Sequence, residues 1–448
     1  MLDDKNHCRL RSLIAVVTIM LVAGAARSAD RSLPDGQPIS EHHRGDFAVG
    51  HSTQRLNVRG TRGELRPLDV HLWYPARSHD DCDSPSNLKR GADDQGCSLT
   101  PTVYRSRLYG IPLLPQWDPL SWTIGSSESF ENLPIARGHR RFPVIVFSHG
   151  QTGEAIEYVY TLEALASFGF IVAAPDHLNG TADDVRIDFI NSEAGFDLLP
   201  CFDGLASPCT RAGAPENMTD RVHDVSAVLD ALPTWFGERV DMTRVGIMGH
   251  SRGSVTALAV AGGSTTWGFP PEPRVKALMG LAIGGNPAVV FAVDLQNITI
   301  PALLLAGTLD TTSPPEISRA AFELLASTDK ELVLIENAVH CHFCSALCAQ
   351  TQSAGGIASA STRAILDLHT FRTNVAGLPP TPNVGVAMDY CGFETFTDPS
   401  DIRPLVASLT GFHVTPTNVP TTGVDSAEVT EDVVELAVAF FGRVLRAR

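Results

Sequence analysis

Short apolar segments that alternate with helical segments are the feature that most constrains how this chain of 448 residues can fold. Residues 144–148 (VIVFS) and 170–174 (FIVAA) are apolar at every position but one, and residues 155–167 between them have the apolar spacing of a helix. Uniformly apolar short strands are typical of parallel sheets that are buried on both faces. The sequence therefore predicts an α/β fold, with a mostly parallel sheet and helices on both faces. Further predicted helices are 221–232 and 251–261, and further predicted strands are 245–248, 277–283, 302–306 and 331–335.

The two ends of the repeating region are also predicted to belong to this domain. Residues 69–74 (DVHLWY) alternate polar and apolar side chains, as a half-buried strand does. Residues 426–445 carry one apolar stripe at helical spacing, which we expect to pack on the sheet. We expect a single domain over residues 56–448, preceded by an N-terminal arm over residues 27–55.

Two segments do not follow the alternation of strands and helices. Residues 178–218 and 341–424 contain cysteine, and the second is rich in proline and glycine, with one predicted helix near 357–370. Long irregular segments in compact domains are often functional lids. We interpret both as insertions at the edge or top of the sheet.

The N-terminus has the pattern of a secretory signal peptide. Lys5, Arg9 and Arg11 precede an apolar run over 13–22, and small residues follow it. This run is shorter than the roughly 20 residues that a membrane-spanning helix needs. We predict a signal peptide over 1–26, export of the chain, and no integral membrane span after cleavage.

Cysteine usage agrees with export. Of nine cysteines, Cys8 would leave with the signal peptide, and an even number in an exported chain indicates disulfides. Cys82 with Cys97, and Cys201 with Cys209, are plausible local pairs. Three pairings remain open for the other four, which are Cys341, Cys344, Cys348 and Cys391.

The strongest chemical signal is the motif GHSRG at 249–253, which matches G-x-S-x-G. It follows a predicted strand directly and opens a predicted helix. A sharp turn at this point holds the serine hydroxyl out beside a base, and glycine fits the crowded positions because it has no Cβ atom. Ser251 is therefore the predicted nucleophile; the alternative is that it only caps a helix.

An acid and a base are expected after the serine, in that order. Asp310 follows the predicted strand ALLLA, and His340 follows the predicted strand ELVLI. Because open α/β sheets place their sites at the carboxyl ends of the strands, these side chains should converge with Ser251. Asp310 could instead be a turn carboxylate, and the alternatives to His340 as the base are His342, His369 and His413.

The segment 147–153 (FSHGQTG) is the third element of the predicted site. An oxyanion formed at the serine needs backbone N–H donors. We expect these from Arg252, the residue after the nucleophile, and from Gln151, while His149 braces the loop. The alternative is a simple glycine-containing turn.

Two histidine-containing segments have other interpretations. His340, Cys341, His342, Cys344 and Cys348 could be a zinc site, although export favours disulfides. Residues 176–177 (Asp-His) look like a ligand pair, but a loop at a strand end is the simpler interpretation. We therefore expect no metal and no cofactor.

With these residues in place, the chain resembles the α/β-hydrolase superfamily, and within it the predicted dienelactone hydrolase and platelet-activating-factor acetylhydrolase-like group. The resemblance implies an α/β-hydrolase fold, with Ser251, Asp310 and His340 as the catalytic triad and Gln151 and Arg252 as oxyanion donors. It rests on LDVHLWYPA (68–76), FPVIVFSHG (142–150), GFIVAAPDHLNGT (169–181), GHSRG (249–253), PALLLAGTLD (301–310) and AVHCHF (338–343).

These observations predict a serine hydrolase that cleaves carboxylic esters, with a small-molecule or lipid ester as substrate. The formal net charge of −16 repels phosphate backbones, so nucleic acid is not expected as a partner. We expect a monomer. Two alternatives stay open, which are a peptidase or amidase on the same triad and a non-catalytic binding protein with this fold.

Overall fold

The computed structural model describes most of the residues of the predicted domain. All described residues belong to one unit, Gly36–Arg448. The predicted signal peptide, 1–26, lies outside them. The structure describes residues 44–61, 63–77, 100–106, 122–124, 129–138, 141–151, 153–178, 215–284, 287–310, 312–346, 424 and 426–446.

The described residues form eleven strands and six α-helices. The strands are β1 (Ala48–Arg59), β2 (Leu65–Ala76), β3 (Tyr104–Ser106), β4 (Trp122–Ile124), β5 (Ser129–Glu131), β6 (Phe142–Ser148), β7 (Ile171–Pro175), β8 (Val240–His250), β9 (Val275–Leu281), β10 (Ala302–Gly307) and β11 (Lys330–Ile335). The helices are α1 (Val159–Ser167), α2 (Pro215–Phe236), α3 (Arg252–Gly262), α4 (Pro287–Val290), α5 (Pro315–Leu324) and α6 (Ser426–Arg446). Short 3₁₀ helices are Ala155–Tyr158, Gly237–Arg239, Leu295–Asn297 and His340–Phe343.

Nine strands form one sheet, in the order β11-β10-β9-β8-β6-β7-β2-β1-β5. The pairs from β11 to β7 are all parallel, as predicted from their apolar sequences. Strand β2 is antiparallel to both β7 and β1, while β5 is parallel to β1. The predicted fold class, a mostly parallel sheet with helices on both faces, is confirmed.

Alternation along β6 shows how the two faces of the sheet are covered. Ile145 and Phe147 pack in a core cluster with helices α1 and α6. Val144 and Val146 point to the opposite face and pack in a second cluster with α2, α3 and α5. Both faces of this strand are therefore buried, which is why its sequence lacks polar residues until Ser148.

The structure moves two predicted boundaries. Strand β1 begins at Ala48, inside the segment 27–55 that was predicted as an arm. From Ser52 to Asn57 the residues of β1 alternate between half-buried and exposed, because β1 lies near the sheet edge, so this part of the strand has few apolar residues. Helix α2 begins at Pro215, inside the predicted insertion 178–218. Most of both predicted insertions lies outside the described residues, as does the helix predicted near 357–370.

Within the described part of the chain, no helix combines the length and the apolar character needed to cross a lipid bilayer.

Candidate active site

Ser251 lies in a sharp turn between β8 and α3, with φ 54° and ψ −120°. This left-handed conformation is unusual for a residue with a side chain. The flanking glycines permit it: a Cβ atom on Gly249 would lie 2.2 Å from the Gly253 carbonyl oxygen. A Cβ atom on Gly253 would lie 1.9 Å from the Ser148 carbonyl oxygen, which is shorter than any tolerated contact. The two glycines of the motif are therefore required by close backbone packing.

Strand β9 holds this turn in place through hydrogen bonds. The backbone N–H of Ser251 donates to the Leu281 carbonyl at 2.9 Å, and the Gly284 N–H donates to the Ser251 carbonyl at 3.0 Å. Ser254 Oγ lies 2.6 Å from the carbonyl oxygens of Gly249 and Leu281. The backbone around Ser251 is thus fixed by its neighbours, while the residue itself is partly exposed.

Asp310 and His340 form a buried hydrogen-bonded pair. Asp310 Oδ2 lies 2.7 Å from His340 Nδ1, and both side chains are buried. The other oxygen, Oδ1, accepts the backbone N–H groups of Thr312 at 2.9 Å and Ser313 at 2.7 Å. Because a carboxylate only accepts hydrogen bonds, the proton lies on Nδ1 and Nε2 is left to accept one. Asp310 is therefore both a turn carboxylate and the partner of His340.

The surroundings of His340 favour its charged form. Burial alone would lower its pKa, but the negative charge of Asp310 and their hydrogen bond raise the pKa above its ordinary value of 6.5. A histidine with a raised pKa is a stronger base, which suits the acceptance of a proton from a serine hydroxyl.

The other histidines considered as bases differ from His340. His342 is buried, and its Nδ1 accepts the backbone N–H of Val339 at 3.3 Å, within its own turn. His369 and His413 lie outside the described residues.

Residues 148–151 at the end of β6, called here the β6 loop, run beside the turn at Ser251. A Cβ atom on Gly150 would lie 3.4 Å from Ser251 Cβ, so the two backbones are in close contact. Gln151, the next residue, is half-buried. The predicted donors Gln151 and Arg252 thus belong to the two segments that meet at Ser251.

Parts of this chain are similar in sequence to known proteins. A model of the family described as platelet-activating factor acetylhydrolase, isoform II, matches residues 40–186. Cutinase est1 of Thermobifida alba is 27% identical over 208 residues, covering 46% of this chain and 55% of that protein. The chain thus spans about half the length of this curated relative.

A solved structure extends the comparison over nearly the whole chain. The ferulic acid esterase from Streptomyces cinnamoneus superimposes with a TM-score of 0.52 at 19% identity, covering 92% of this chain and 93% of that one. At this identity, the likeness is evidence for the fold. The chain therefore has an α/β-hydrolase fold.

Tyr158 and His250 link the β6 loop to His340, a connection that the sequence did not predict. The Gly150 N–H donates to Tyr158 Oη at 3.2 Å, and Tyr158 Oη lies 2.8 Å from His250 Nδ1. His250 Nε2 lies 3.1 Å from the His340 carbonyl oxygen, so Nε2 carries the proton and Nδ1 accepts the tyrosine hydroxyl. No sequence signal marks Tyr158, because it lies among apolar residues of the predicted helix.

The cysteines near His340, Cys341 and Cys344, are buried and close to this link. The Cys341 thiol hydrogen-bonds Cys344, whose Sγ lies 3.7 Å from Tyr158 Oη. Neither Cys341 nor Cys344 forms a disulfide in this structure, so the prediction of disulfide pairing is wrong for these two cysteines. Among the described residues, no three His, Cys, Asp or Glu side chains are grouped so that they could hold a metal ion. Cys82, Cys97, Cys201, Cys209, Cys348 and Cys391 lie outside the described residues.

Proposed function

We propose that this α/β-hydrolase cleaves carboxylic esters through an acyl-enzyme on Ser251. The observations that carry the proposal are the buried Asp310–His340 pair at 2.7 Å, the 4.7 Å between the ring centroids of His340 and His250, and the φ of 54° at Ser251, the residue after His250. A hydroxyl in such a turn beside an oriented imidazole is the arrangement that serine hydrolases need. The relatives named cutinase and ferulic acid esterase support ester cleavage over other reactions of the fold.

In the first half of the reaction, His340 Nε2 accepts the proton of Ser251 as the hydroxyl oxygen attacks the ester carbonyl. Asp310 holds the imidazole in the required tautomer and stabilises its charged form. The carbonyl oxygen becomes negative and accepts the backbone N–H groups of Gln151 and Arg252. The C–O bond then breaks, and His340 returns its proton to the leaving alcohol.

The second half of the reaction repeats these steps with water. His340 accepts a proton from the water as its oxygen attacks the acyl group on Ser251. The bond to Ser251 breaks, the serine recovers the proton, and the carboxylic acid leaves. This scheme requires no cofactor.

The substrate class proposed here is a small-molecule or lipid ester. The acidic surface gives no attraction for nucleic acid. We also propose that the chain is exported, since basic residues precede a short apolar run at the N-terminus. N-terminal sequencing of the protein recovered outside the cytoplasm tests this: a start near residue 27 is expected, and an intact Met1 contradicts it.

A panel of substrates tests the proposed reaction. p-Nitrophenyl esters of graded acyl length are compared with aminoacyl p-nitroanilides, using wild-type protein and the Ser251→Ala variant. We expect turnover of at least one ester by the wild type only, with anilides cleaved far more slowly. Preferential cleavage of the anilides, or equal ester cleavage by both proteins, contradicts the proposal.

A further inference from the structure

The dipeptide Asp176-His177 after β7 takes no part in the proposed reaction, yet both side chains contact the segment that follows β6. Asp176 Oδ1 accepts the backbone N–H of Ala155 at 2.9 Å, just beyond the β6 loop. His177 Nε2 lies 2.9 Å from Ser148 Oγ, at the start of the loop. The dipeptide therefore holds this segment at two places, before and after the proposed oxyanion donor Gln151.

His177 continues a buried chain of hydrogen bonds to α2 and β2. Its Nδ1 lies 2.9 Å from Asp224 Oδ2, and Asp224 Oδ1 accepts Arg66 Nη2 at 2.7 Å. Burial raises the pKa of Asp224 to about 6, so it is still a carboxylate at pH 7. The proton of His177 therefore lies on Nδ1, and Nε2 accepts the hydroxyl proton of Ser148.

A second set of contacts fixes the backbone of the loop. The His177 N–H donates to His149 Nε2 at 2.9 Å, so His149 carries its proton on Nδ1 and donates to the Gly150 carbonyl at 2.7 Å. The guanidinium of Arg221 donates to the His149 carbonyl at 3.1 and 3.0 Å. The backbone just before Gln151 is thus held from the side of α2 and β7.

Ser148, His177 and Asp224 have the residue types of a catalytic triad but not the exposure of one. All three side chains are fully buried, and Ser148 ends a strand instead of occupying a strained turn. A substrate has no access to the Ser148 hydroxyl. What this hydroxyl can do is fix the direction in which the β6 loop leaves the sheet.

We infer that His177, supported by Asp224, is a positioning residue for the β6 loop, which it aims so that the Gln151 N–H meets the developing oxyanion. This inference rests on the proposed esterase function. Misplacing a catalytic group by about 1 Å can lower a rate by about 100-fold. Loss of the contact should therefore lower kcat and leave KM nearly unchanged, because the oxyanion exists only in the transition state.

Two matched serine substitutions test the inference. Ser148→Ala removes the hydroxyl group that donates a hydrogen bond to His177 Nε2. Ser264→Ala removes another buried hydroxyl, whose Oγ donates to the Ala292 carbonyl at 2.7 Å and accepts the Trp267 N–H at 3.0 Å. Among the described residues, no hydrogen bond joins Ser264 to the β6 loop. On p-nitrophenyl butyrate we expect Ser148→Ala to lower kcat about 10- to 100-fold with KM within twofold, and Ser264→Ala to lower only the melting temperature.

Two replacements of His177 add a rescue experiment. The amide nitrogen of His177→Asn can reach Asp224 but not Ser148, whereas the longer side chain of His177→Gln can accept the Ser148 hydroxyl. We expect His177→Gln to recover part of the kcat that His177→Asn loses.

The outcomes separate this inference from the proposed function. An active wild type whose kcat is unchanged by Ser148→Ala, or lowered equally by Ser264→Ala, overturns the positioning role and leaves the esterase proposal standing. A folded wild type that cleaves none of the esters in the panel, or a Ser251→Ala variant with normal turnover, overturns the esterase proposal itself.

Discussion

The molecule contains two sets of serine, histidine and aspartate about the same sheet edge, and they differ in exposure and backbone. Ser251 is partly exposed and lies in a turn at φ 54°. Ser148 is fully buried at the end of an extended strand. Each set has a histidine bonded to a buried aspartate, so the residue types alone do not distinguish a nucleophile from a structural hydroxyl. The backbone conformation of the turn at Ser251 and the exposure of this serine to solvent do distinguish the two.

The two histidines also differ in their electrostatic environments. Asp310 raises the pKa of His340 against the effect of burial. Burial, reinforced by the positive charge of Arg221, holds the pKa of His177 well below its ordinary value. His340 therefore takes up a proton more readily than a free histidine, whereas His177 stays neutral and serves as a fixed link.

The largest expected difference between the two sets concerns chemistry at the serine and its base. We expect Ser251→Ala and His340→Ala each to lower kcat by about 10⁴- to 10⁶-fold, because a triad acts as a unit. Ester hydrolysis measured beside the circular dichroism spectrum checks this. A folded variant with near-normal turnover would refute the assignment of that residue.

The aspartates give the next contrast. Asp310→Asn should lower kcat by about 10⁴-fold, because an amide favours the wrong tautomer of His340. Asp224→Asn moves the β6 loop and also removes the charge that pairs with Arg66, so we expect a lower melting temperature and a fall in kcat of about 10- to 100-fold. Equal losses of kcat in the two variants, measured on folded protein below both melting temperatures, would contradict the distinction between the two sets.

The contact between the two sets can be tested by adding one methyl group. Gly253→Ala places a Cβ atom 1.9 Å from the Ser148 carbonyl, so we expect a loss of about 1–3 kcal/mol in the free energy of unfolding, together with lower kcat. Gly442→Ala in α6 is the control, since its Cβ atom would meet nothing within 4 Å and should stabilise the helix by about 0.5–1 kcal/mol. Urea denaturation measures both, and equal stabilities would contradict the close packing.

The pH dependence of activity is the smallest expected effect. Because His340 must be neutral to accept a proton and its pKa is raised, kcat/KM should fall as pH decreases, with a midpoint above 6.5. Residual activity of Asp310→Asn should show this midpoint at lower pH, while His177→Asn should leave it in place. A wild-type midpoint below 6.5 would contradict the effect of Asp310.

The sequence predicted elements whose structure depends on local pattern. The strand over 302–306 is apolar throughout and is confirmed as β10, because burial on both faces leaves no room for polar residues. Strand β1 was missed, since its residues 51–55 (HSTQR) are all polar and the strand depends on pairing with β2. The sequence also predicted the sharp turn at Ser251, because the motif G-x-S-x-G describes a local turn.

The buried hydrogen bonds that join Ser148, His177 and Asp224 could not be predicted, for a different reason. His177 and Asp224 are 47 residues apart in the chain, and no motif includes Asp224. Their contact depends on how α2 packs beside β7, which is a tertiary property. The sequence alone therefore indicates no more than a loop at a strand end for Asp176-His177.

The assignment of Ser251 as the nucleophile is tested most directly by covalent labelling. Wild-type protein, Ser251→Ala and Ser148→Ala are treated with a fluorophosphonate probe, and the modified peptide is identified by mass spectrometry. We predict one adduct, on Ser251, in the wild type, the same adduct formed more slowly in Ser148→Ala, and none in Ser251→Ala. An adduct that persists in Ser251→Ala, or a folded wild type that is never labelled, would contradict the account.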